Sequence, residues 1–226
     1  MITFGDAFYS WFIFWLVYWV SGSFLTWKAH NEDIVVVTRL PNVIKVLCLN
    51  MCWTFFGMII IVNLPIKIIF ENNVINIILS YNIIKFILCN FITEFFFFHI
   101  HAMCHSPLLF KKLHGQHHEF YNTTMYALTG MYSSGYEAVV CNLFSAGIGP
   151  VLLNLDVPYL YIWFALVGIN STFSHSGFTY GWIFDGSHGE HHKSRKNLGT
   201  MTLLDRLYGT YETPNQHDDT ERNFIL

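Results

Sequence analysis

Three long apolar runs follow one another through the first hundred residues, separated by short polar stretches. The first run, 7–27, carries no charged residue, and the second, 43–62, carries Lys45 near its start. The third, 74–98, is also apolar but includes Glu94 near its end. At a rise of about 1.5 Å per helical residue, a run of about twenty residues crosses a hydrocarbon core of about 30 Å. The pattern therefore predicts three transmembrane helices.

Aromatic residues along the first run suit a membrane interface. They are Tyr9, Trp11, Trp15, Tyr18, Trp19 and Trp27. The first basic residue is Lys28, so the N-terminus lacks the positive region of a cleavable signal peptide, and no small-residue cleavage site follows the run. We expect this segment to be retained as a membrane anchor.

Beyond residue 120 the apolar runs become shorter. Residues 121–136 mix apolar residues with Gly, Ser and Thr, and we expect a connection that lies on the membrane surface. Two apolar runs follow, 138–155 and 157–173, separated by Asp156 and Pro158. Each run is short for a full crossing. The pair is therefore predicted to form a hairpin of two helices that dips into the membrane and returns.

The composition fits this membrane pattern. Hydrophobic residues make up 53% of the 226 residues and charged residues 12%, with a mean hydropathy of +0.39, whereas about a quarter of a soluble protein is charged. The net charge of -3, without a basic arm, excludes nucleic acid as a partner. The five cysteines, most of them in apolar runs, indicate reduced thiols rather than disulfides. The predicted fold class is an all-α integral membrane helical bundle of three spans and a helical hairpin.

Histidines are concentrated directly after the third apolar run. The segment 94–119, EFFFFHIHAMCHSPLLFKKLHGQHHE, holds six of the twelve histidines. His101 and His105 are spaced i, i+4, whereas the next three are spaced i, i+3, i+4, and the latter spacing recurs at 188–192. On an α-helix each set would project from a single face, as the ligands of a metal site do.

Nine histidines fall in these clusters or in the polar tail close to the last one. They are His101, His105, His114, His117, His118, His175, His188, His191 and His192. A single metal ion takes about four to six ligands, so nine imidazoles indicate two metal ions. Nitrogen ligands suit Zn, Cu, Fe or Ni, but the ligand number is too high for a hydrolytic zinc site with three protein ligands. A redox dimetal centre that acts on a lipid is the better interpretation, so the bundle would carry a histidine-rich dimetal cap.

The other three histidines are not expected to bind metal. His99 precedes His101 by two residues and would point about 200° away round the helix. His30 and His217 lie in polar surroundings without a partner at helical spacing, and we predict them to be surface residues.

The distribution of basic residues predicts the orientation of the histidine clusters. If three spans precede them, the clusters share one side of the membrane with most of the lysines and arginines. These are Lys28, Arg39, Lys45, Lys111, Lys112, Lys193, Arg195, Lys196, Arg206 and Arg222. Lys67 alone would lie on the other side. The excess of positive charge predicts that the histidines face the cytosol.

Longer motifs connect these histidines to a known family. The segment HAMCHSPLLFKKLHGQHHEF resembles two histidine boxes, HxxxH and HxxHH, and SHGEHH followed by LLDRLYGT resembles a closing box. Together they resemble the fatty acid hydroxylase/sterol desaturase superfamily of membrane non-haem diiron enzymes. The element SHSGF at 174–178 is similar to the HSG element of the sterol-acting branch, which includes C4-methylsterol oxidases and cholesterol 25-hydroxylases. The resemblance covers about 91–210.

The resemblance implies a diiron centre, for which zinc could substitute. The histidines of the three boxes would hold the irons, and His175 would be an additional ligand. The implied chemistry is reductive activation of dioxygen and insertion of oxygen into a lipid C–H bond, with electrons from a cytochrome b5-type donor and its reductase. The implied location is the endoplasmic reticulum membrane, with several spans and the metal site facing the cytosol. We divide the chain into an anchor region, 1–90, a catalytic domain, 91–212, and a polar tail, 213–226.

The chain departs from the family pattern in three places. Ala102 stands where the family commonly has Arg, Gly189 where it has Asp, and Ser134-Gly135 where the sterol branch has a histidine-proline pair. These positions bear on the hydrogen bonds that orient metal ligands.

Four charged residues are candidates for supporting roles. Glu119 and Asp185 could replace the missing orienting groups, with an ordinary polar surface position as the alternative for each. Asp205 and Arg206 could form a structural pair that closes the tail.

The sequence leaves several functions open. Hydroxylation of a sterol, rather than of a fatty acyl chain, is favoured by the HSG element. A desaturase on the same scaffold would have the same histidine spacing. A metal transporter would need charged residues or histidines along its spans, and the spans hold few; a non-catalytic lipid-binding protein is the remaining alternative. The phenylalanine run 95–98 could line the substrate's route, although lipid-facing packing is expected for most of its rings.

Overall fold

The computed structural model describes residues 2–63, 81–180 and 185–214. Within these ranges the chain is helical and contains no β-strand. The α-helices are α1 (Phe4–Asn31), α2 (Leu40–Val62), α3 (Asn82–Cys104), α4 (Phe144–Leu152), α5 (Val157–Ser174), α6 (Ser187–Ser194) and α7 (Leu203–Tyr208). A π-helical segment, Glu137–Leu143, leads directly into α4. The predicted all-α fold class is confirmed.

The first three helices, α1 to α3, are long and apolar enough to cross a membrane. α1 begins with a capping box, in which Thr3 Oγ1 accepts the N–H of Asp6 and the Asp6 carboxylate accepts the N–H of Thr3 at 2.8 Å. α2 has Pro41 in its first turn, where the fixed φ of proline suits a helix. The predicted start of the third span, residue 74, and the preceding connection, 63–73, lie largely outside the described residues.

The third span is longer than the apolar run predicted. The prediction ended it at residue 98, but α3 continues to Cys104. The extra turn carries His101, and His105 forms the C-cap of the helix. Hydrophobicity marks only the part of a helix that lies in lipid, whereas the backbone hydrogen bonds continue beyond it. The apolar run therefore underestimates the helix at the end that matters for the metal site.

The predicted hairpin is present, with the apolar helix Glu137–Leu152 followed by α5. Its turn is attached to the start of α3. The amide of Asn82 donates to the carboxylate of Asp156 at 2.7 Å, and Nζ of Lys85 donates to the carbonyl of Asn154 at 3.0 Å. These bonds hold the far end of the hairpin against the third span.

A proline inside α4 joins the two arms of the hairpin. Pro150 has no N–H, so the carbonyl of Ala146 loses its helical partner. The indole N–H of Trp163 on α5 donates to that carbonyl at 2.9 Å. Because a bilayer core offers no water to an unpaired backbone group, this bond stabilises the hairpin.

Glycines let α1 and α5 approach closely. A Cβ atom on Gly168 would lie 3.0 Å from the carbonyl oxygen of Phe14, and one on Gly22 would lie 3.2 Å from Cγ2 of Thr172. Small residues allow this kind of backbone approach in membrane helix pairs. The contacts pair Phe14 with Gly168 and then Gly22 with Thr172, so they advance towards the C-terminus on both helices. The two helices α1 and α5 therefore run in the same direction.

The expectation that 121–136 lies on the membrane surface is wrong for its central part. Residues 125–133 are buried. The hydroxyl of Tyr18 on α1 donates to the carbonyl of Leu128 and accepts the N–H of Met131, both at 2.9 Å. The amide of Asn50 on α2 donates to the carbonyls of Met131 and Ser133 at 2.9 Å. Polar side chains of two spans thus satisfy a non-helical backbone inside the bundle, which apolar periodicity does not reveal.

A buried carboxylate attaches the chain after α6 to α3. Glu94 accepts hydrogen bonds from the backbone N–H groups of Thr200, Met201 and Leu204 and from the hydroxyl of Thr200, at 2.7–3.1 Å. A Cβ atom on Gly199 would lie 2.5 Å from this carboxylate, so the close approach requires glycine there. Glu94 therefore fixes the segment 199–204 on the side of the third span.

A second buried carboxylate shapes the same segment. Asp205 accepts the N–H groups of Leu198 and Gly199, both at 2.7 Å. The predicted pairing of Asp205 with Arg206 is wrong, because the Arg206 guanidinium stacks on the ring of Tyr211 at 3.8 Å. Asp205 therefore closes the tail through bonds to the backbone and to the hydroxyl of Thr210 rather than through Arg206.

Candidate metal centre

Two groups of histidines lie side by side at the ends of α3, α5 and α6. The five-histidine group consists of His101, His105, His114, His118 and His191. The four-histidine group consists of His117, His175, His188 and His192. In each group the candidate ligand nitrogens lie within 4.8 Å of one another, so each group could hold a metal ion. All nine histidines singled out in the sequence belong to one group or the other.

Different local structures position these side chains. His101 and His105 lie one turn apart at the C-terminal end of α3, as their spacing predicts. The helix predicted for the next box is wrong: His114 ends a π-helical turn, Phe110–His114, and a 3₁₀ turn, His117–Glu119, follows. The last box lies on α6 as expected.

Neighbouring histidines point into different groups. His117 belongs to the four-histidine group and His118 to the five-histidine group, and His192 and His191 divide in the same way. The prediction that each HxxHH box presents one face to one site is therefore wrong. Adjacent residues on a helix differ in direction by about 100°, so each box supplies ligands to both groups.

The ring nitrogens of the five-histidine group are very close to one another. Nε2 of His114 lies 2.9 Å from Nε2 of His101 and 3.0 Å from Nε2 of His118. Nε2 of His191 lies 3.1 Å from Nε2 of His118 and 3.2 Å from Nε2 of His105. Two nitrogens bound at about 2.1 Å to one ion and at right angles to each other are about 3.0 Å apart. The spacing is therefore that of ligands to a common ion.

The four-histidine group has the same spacing. Nε2 of His175 lies 3.0 Å from Nε2 of His188 and 3.3 Å from Nε2 of His117. Nε2 of His192 is buried and has no hydrogen-bond partner. A buried nitrogen without a partner is costly, and a metal ion would satisfy it.

Backbone carbonyls determine which nitrogen of several rings carries the proton. The Nδ1 contacts are His101 with Leu198 (2.7 Å), His191 with Lys196 (2.7 Å), His192 with Phe120 (3.0 Å), His175 with Ser171 (3.0 Å) and His117 with Tyr132 (3.4 Å). A carbonyl only accepts, so Nδ1 donates and Nε2 keeps its lone pair. The Nε2 lone pairs therefore converge within each group. Converging lone pairs repel each other without a cation between them, so the donor set fits metal ions.

A buried carboxylate lies behind the five-histidine group. Oε1 of Glu137 lies 2.9 Å from Nδ1 of His114, and the two side chains are 3% and 1% exposed. The contact does not meet hydrogen-bond geometry, since Nδ1 of His114 has no hydrogen-bond partner, but the carboxylate lies on the side of the ring from which it can hold a proton on Nδ1 and leave Nε2 for a metal. Sequence reasoning missed this role. The signal that could have found it is an acidic residue at the start of an apolar run, where a solvated position is not expected.

Burial keeps the histidines neutral. Desolvation lowers the pKa of His118 and of His175 to about 4. The pKa values of His117, His188 and His192 are lowered well below the ordinary value, first by desolvation and then by the neighbouring imidazoles. The rings are therefore neutral at pH 7, which is the form that binds metal.

The remaining histidines lie away from the two groups. His99 is exposed, and its Nδ1 lies 2.7 Å from the carbonyl oxygen of Phe95. His30 is exposed as well. Both positions agree with the sequence analysis, whereas His217 lies outside the described residues.

The two acidic residues proposed as orienting groups have other contacts. Glu119 pairs with Arg39 at 2.9 Å and accepts the hydroxyl of Tyr132 at 3.3 Å. Asp185 accepts the N–H of Ser187 at 2.9 Å, just before α6. Neither is bonded to a histidine of the two groups, so Glu137 and the backbone carbonyls orient the ligands instead.

A cavity of about 690 Å³ opens onto both histidine groups. His101 and His175 line the end of the cavity next to the histidine groups, and Phe86 and Trp163 line the opposite end, which we call the deep end. Phe86 precedes His101 by fifteen residues on α3, which corresponds to about 22 Å, and Trp163 precedes His175 by twelve residues, or about 18 Å. The cavity therefore reaches about 20 Å from the histidines into the part of the bundle that is apolar enough to lie in lipid.

One ring of the phenylalanine run lines this cavity, namely Phe97. Phe95 is half exposed, Phe96 packs against Phe144, and Phe98 stacks on Tyr208. The expectation of lipid-facing packing holds for Phe95 and is wrong for most of these rings, because Phe96 and Phe98 pack against other segments and Phe97 lines the cavity.

Comparison with known proteins identifies the family of this fold and site. The described helices and paired histidine groups are those of a membrane protein with a potential two-metal centre. The sequence profile of the fatty acid hydroxylase family matches residues 86–210, more than half of the chain. The chain therefore belongs to the fatty acid hydroxylase family.

Several curated proteins are similar to this chain. "Fatty acid hydroxylase domain-containing protein 2" of Macaca fascicularis is 29% identical over 137 residues, which are 60% of this chain and 40% of the relative. "Methylsterol monooxygenase 2-2" of Arabidopsis thaliana is 30% identical over 133 residues, 53% of this chain and 49% of the relative. "Very-long-chain aldehyde decarbonylase GL1-11" of Oryza sativa subsp. japonica is 29% identical, with the same coverage. The chain thus spans less than half the length of these relatives. No solved structure matches it significantly.

Proposed function

We propose that this protein is a membrane-bound diiron oxygenase that hydroxylates a C–H bond of a lipid, with a sterol as the preferred substrate. The observation that carries the proposal is the cavity that leads from the apolar part of the bundle to two groups of converging imidazoles. In the balanced reaction, one atom of dioxygen enters the C–H bond and the other leaves as water, with two electrons and two protons supplied from outside.

The nine histidines would hold the two irons, five imidazoles around one and four around the other. Iron is chosen over Zn, Cu or Ni on family membership, because nitrogen ligands suit all four, and zinc could occupy the same site without supporting oxidation. When bound, the irons would supply the reductive activation of dioxygen. Two-metal ligation is supported by the Nε2 separations of 2.9–3.3 Å within the groups.

The chain's own residues would orient the ligands and exclude water. The carbonyls of Leu198 and Lys196 hold the protons of His101 and His191 on Nδ1. The carboxylate of Glu137 lies 2.9 Å from Nδ1 of His114 and would accept its proton after a small rotation of either side chain. As long as the proton stays on Nδ1, each Nε2 remains available for metal. The apolar wall of the cavity would keep bulk water from the oxidising site.

Exposed basic residues around the cap support an acidic electron donor, for which a cytochrome b5-type protein and its reductase are the proposed source. They are Lys111, Lys112, Lys193, Arg195 and Lys196. Opposite charge steers encounter between redox partners. The same residues support a cytosolic cap by the positive-inside rule, and we propose the endoplasmic reticulum as the membrane. In this proposal residues 1–90 anchor a catalytic domain, 91–212, and a polar tail, 213–226, follows it.

The names of two relatives bear on the substrate. One is a methylsterol monooxygenase and another an aldehyde decarbonylase, so the matched part of the chain occurs in proteins that act on different lipids. The sterol-like HSG element, Ser174 to Gly177 with His175 in the four-histidine group, favours the sterol.

The proposal is tested by metal analysis and by product analysis. The protein is produced in a host that lacks sterol hydroxylase activity, its iron content is measured after purification, and total sterols and fatty acids are compared by mass spectrometry. His117→Ala should lower the iron content and abolish the new product. His99→Ala, which changes an exposed histidine outside both groups, is the matched control and should leave both unchanged. Iron well below two per chain, or full activity of His117→Ala, would refute the proposal.

A desaturase on the same scaffold is the second candidate, because the histidine geometry is common to both activities. The mass of the product distinguishes them: hydroxylation adds one oxygen atom, whereas desaturation removes two hydrogens. A protein that binds iron and lipid but yields neither product would instead be a non-catalytic binding protein.

A further inference from the structure

Asp205 holds a buried negative charge that the roles described so far do not explain. Its side chain is fully buried, and within the described ranges it forms no ion pair with a lysine or arginine. Oδ1 accepts the N–H of Leu198 and the hydroxyl of Thr210, and Oδ2 accepts the N–H of Gly199, each at 2.7 Å. Such charge-assisted bonds replace the hydration that a carboxylate loses on burial. The charge is therefore fixed beside the peptide group between Leu198 and Gly199.

This peptide group connects the charge to a histidine of the five-histidine group. The carbonyl of Leu198 and the N–H of Gly199 are its two ends, and in a trans peptide they point in opposite directions. The carbonyl accepts the N–H at Nδ1 of His101 at 2.7 Å, and the N–H donates to Oδ2 of Asp205 at 2.7 Å. Carboxylate, peptide and imidazole thus form one continuous chain of hydrogen bonds.

A chain of this kind carries the effect of the charge to the ring. The two ends of an amide are conjugated, so a carboxylate at the N–H increases the partial negative charge on the carbonyl oxygen. A more negative oxygen holds the Nδ1 proton of His101 more strongly. An imidazole whose Nδ1 proton is held in this way is a stronger donor at Nε2. Asp205 can therefore act on His101 as a directly bonded carboxylate would.

His192 of the four-histidine group provides a comparison. Its Nδ1 contacts the carbonyl of Phe120 at 3.0 Å, and the N–H of the same peptide group, on Tyr121, donates to the hydroxyl of Thr124 at 3.2 Å. That chain ends on a neutral hydroxyl, and both of its bonds are longer than the 2.7 Å bonds of the chain at His101. The charge behind the peptide group is therefore not a general property of the backbone contacts at these rings.

The two buried carboxylates near the rings both lie on the side of the five-histidine group. Asp205 reaches His101 through the peptide group, and Oε1 of Glu137 lies 2.9 Å from Nδ1 of His114. The Nδ1 contacts described for the four-histidine group are to backbone carbonyls. The two groups therefore differ in the negative charge behind their rings.

We infer that Asp205 is a positioning residue whose charge, acting through the peptide group between Leu198 and Gly199, strengthens His101 as a metal ligand. The inference rests on the two-metal centre of the proposed function. Negative charge near an iron ion favours the ferric over the ferrous state. Asp205 therefore lowers the reduction potential of an iron ion held by the five-histidine group.

The test removes the charge and keeps the shape of the side chain. Asp205→Asn and the unmodified protein are loaded with iron in lipid nanodiscs, and their reduction potentials are measured by titration with redox mediators. We expect a higher potential for Asp205→Asn. We also expect its zinc binding, measured by competition with a chelator, to be weaker by about tenfold or more. Weaker zinc binding with an unchanged potential would overturn the inference, since that result is expected of a purely structural residue.

Thr210→Val is the matched control. It removes the hydroxyl that donates to Oδ1 of Asp205, but it keeps the backbone bonds of residue 210 and the charge of the carboxylate. We expect this variant to lower the melting temperature and to leave the reduction potential where it is. An equal shift of the potential in Thr210→Val and Asp205→Asn would exclude an effect of the charge.

The peptide group can also be tested without changing Asp205. Glycolic acid incorporated in place of Gly199 turns its amide into an ester, which removes the N–H and weakens the carbonyl of Leu198 as an acceptor. The same amide-to-ester change at Thr200, whose N–H donates to Glu94, is the control. We expect the ester at 199, but not the ester at 200, to raise the potential. This pair decides the inference if Asp205→Asn does not fold, and equal potentials would overturn it.

These measurements are independent of catalysis, because neither the potential nor zinc binding requires turnover. If the iron-loaded protein oxidises no lipid, the proposed function fails, and the potentials still decide the role of Asp205. If lipid is oxidised and Asp205→Asn has the potential of the unmodified protein, the inference fails and the proposed function stands.

Discussion

Replacement of Glu94 by glutamine tests how the tail supports the metal centre. One carboxylate oxygen, Oε2, accepts three hydrogen bonds, from the N–H and the hydroxyl of Thr200 and from the N–H of Met201. The other, Oε1, accepts the N–H of Leu204. The amide oxygen of glutamine can take the place of Oε2 and accept the same three hydrogen bonds, but its NH₂ group then faces the N–H of Leu204. Glu94→Gln therefore removes one hydrogen bond and leaves one N–H unpaired.

The size of the effect follows from these contacts. Loss of a bond to a charged acceptor, together with an unpaired buried donor, costs roughly 1–3 kcal/mol. For a chain of this size, about 2 kcal/mol lowers the melting temperature by about 4–8 °C. Glu94→Ala removes all four bonds to a charged acceptor and should cost more, about 3–5 kcal/mol, because three backbone N–H groups lose their acceptor at once. Glu32→Gln, which changes the partly exposed pair of Glu32 with Lys28 at the C-terminal end of α1, is the control and should cost less than about 0.5 kcal/mol.

The assay combines thermal unfolding in detergent with metal analysis. Release of 199–204 loosens Leu198, whose carbonyl holds Nδ1 of His101, and loss of such a contact weakens metal affinity by about 10- to 100-fold. We therefore expect Glu94→Gln to lower both the melting temperature and the retention of iron against a chelator. A variant that melts like the unmodified protein and retains its iron equally well would refute the role of Glu94.

Three further perturbations have defined outcomes. Trp163→Phe leaves the carbonyl of Ala146 without a donor, so the free energy of unfolding should fall by roughly 1–3 kcal/mol and the melting temperature should fall with it; an unchanged melting temperature would contradict the bond. Gly130→Ala would put a Cβ atom 3.1 Å from Nδ1 of His175 and 2.7 Å from a backbone carbonyl of α5, and should deplete metal from the four-histidine group, measured as iron per chain. Because the folded pKa values of His118 and His175 are about 4, below the ordinary 6.5, the unfolded chain binds more protons between these values. Stability of the metal-free protein should fall as the pH drops from 6.5 towards 4, and a melting temperature independent of pH would exclude neutral burial.

The spans, the hairpin and the set of clustered histidines could be predicted from the sequence. Apolar runs of sufficient length identify helices in lipid because each backbone group must be bonded within its own helix. The i, i+4 spacing of His101 and His105 was likewise sufficient to predict a common direction. Such features depend on residues close in sequence, and periodicity detects them.

The division of the histidines between two groups could not be predicted. His117 and His118 differ in direction as neighbouring helical residues do, but the group that each one joins depends on the π turn before them and the 3₁₀ turn that carries them. These turns depend on packing against other segments rather than on local composition. The same limit applies to Glu94, whose partners lie more than a hundred residues away. The burial of residues 125–133 is unpredictable for a related reason. The distant side chains of Tyr18 and Asn50 form the hydrogen bonds that allow this backbone to lie inside the bundle.

Adjacent candidate ligands that belong to different groups, such as His191 and His192, would have a consequence for how the two groups take up metal ions. An ion bound in one group restrains the backbone of α6 and of the turn at 117–119, and both segments also carry ligands of the other group. The second ion then binds to segments whose conformational entropy is already reduced. Loading should therefore be positively cooperative, with a sigmoidal titration and little singly loaded protein. In a cell with scarce iron, such a protein would divide into fully loaded and metal-free molecules rather than into many half-loaded ones.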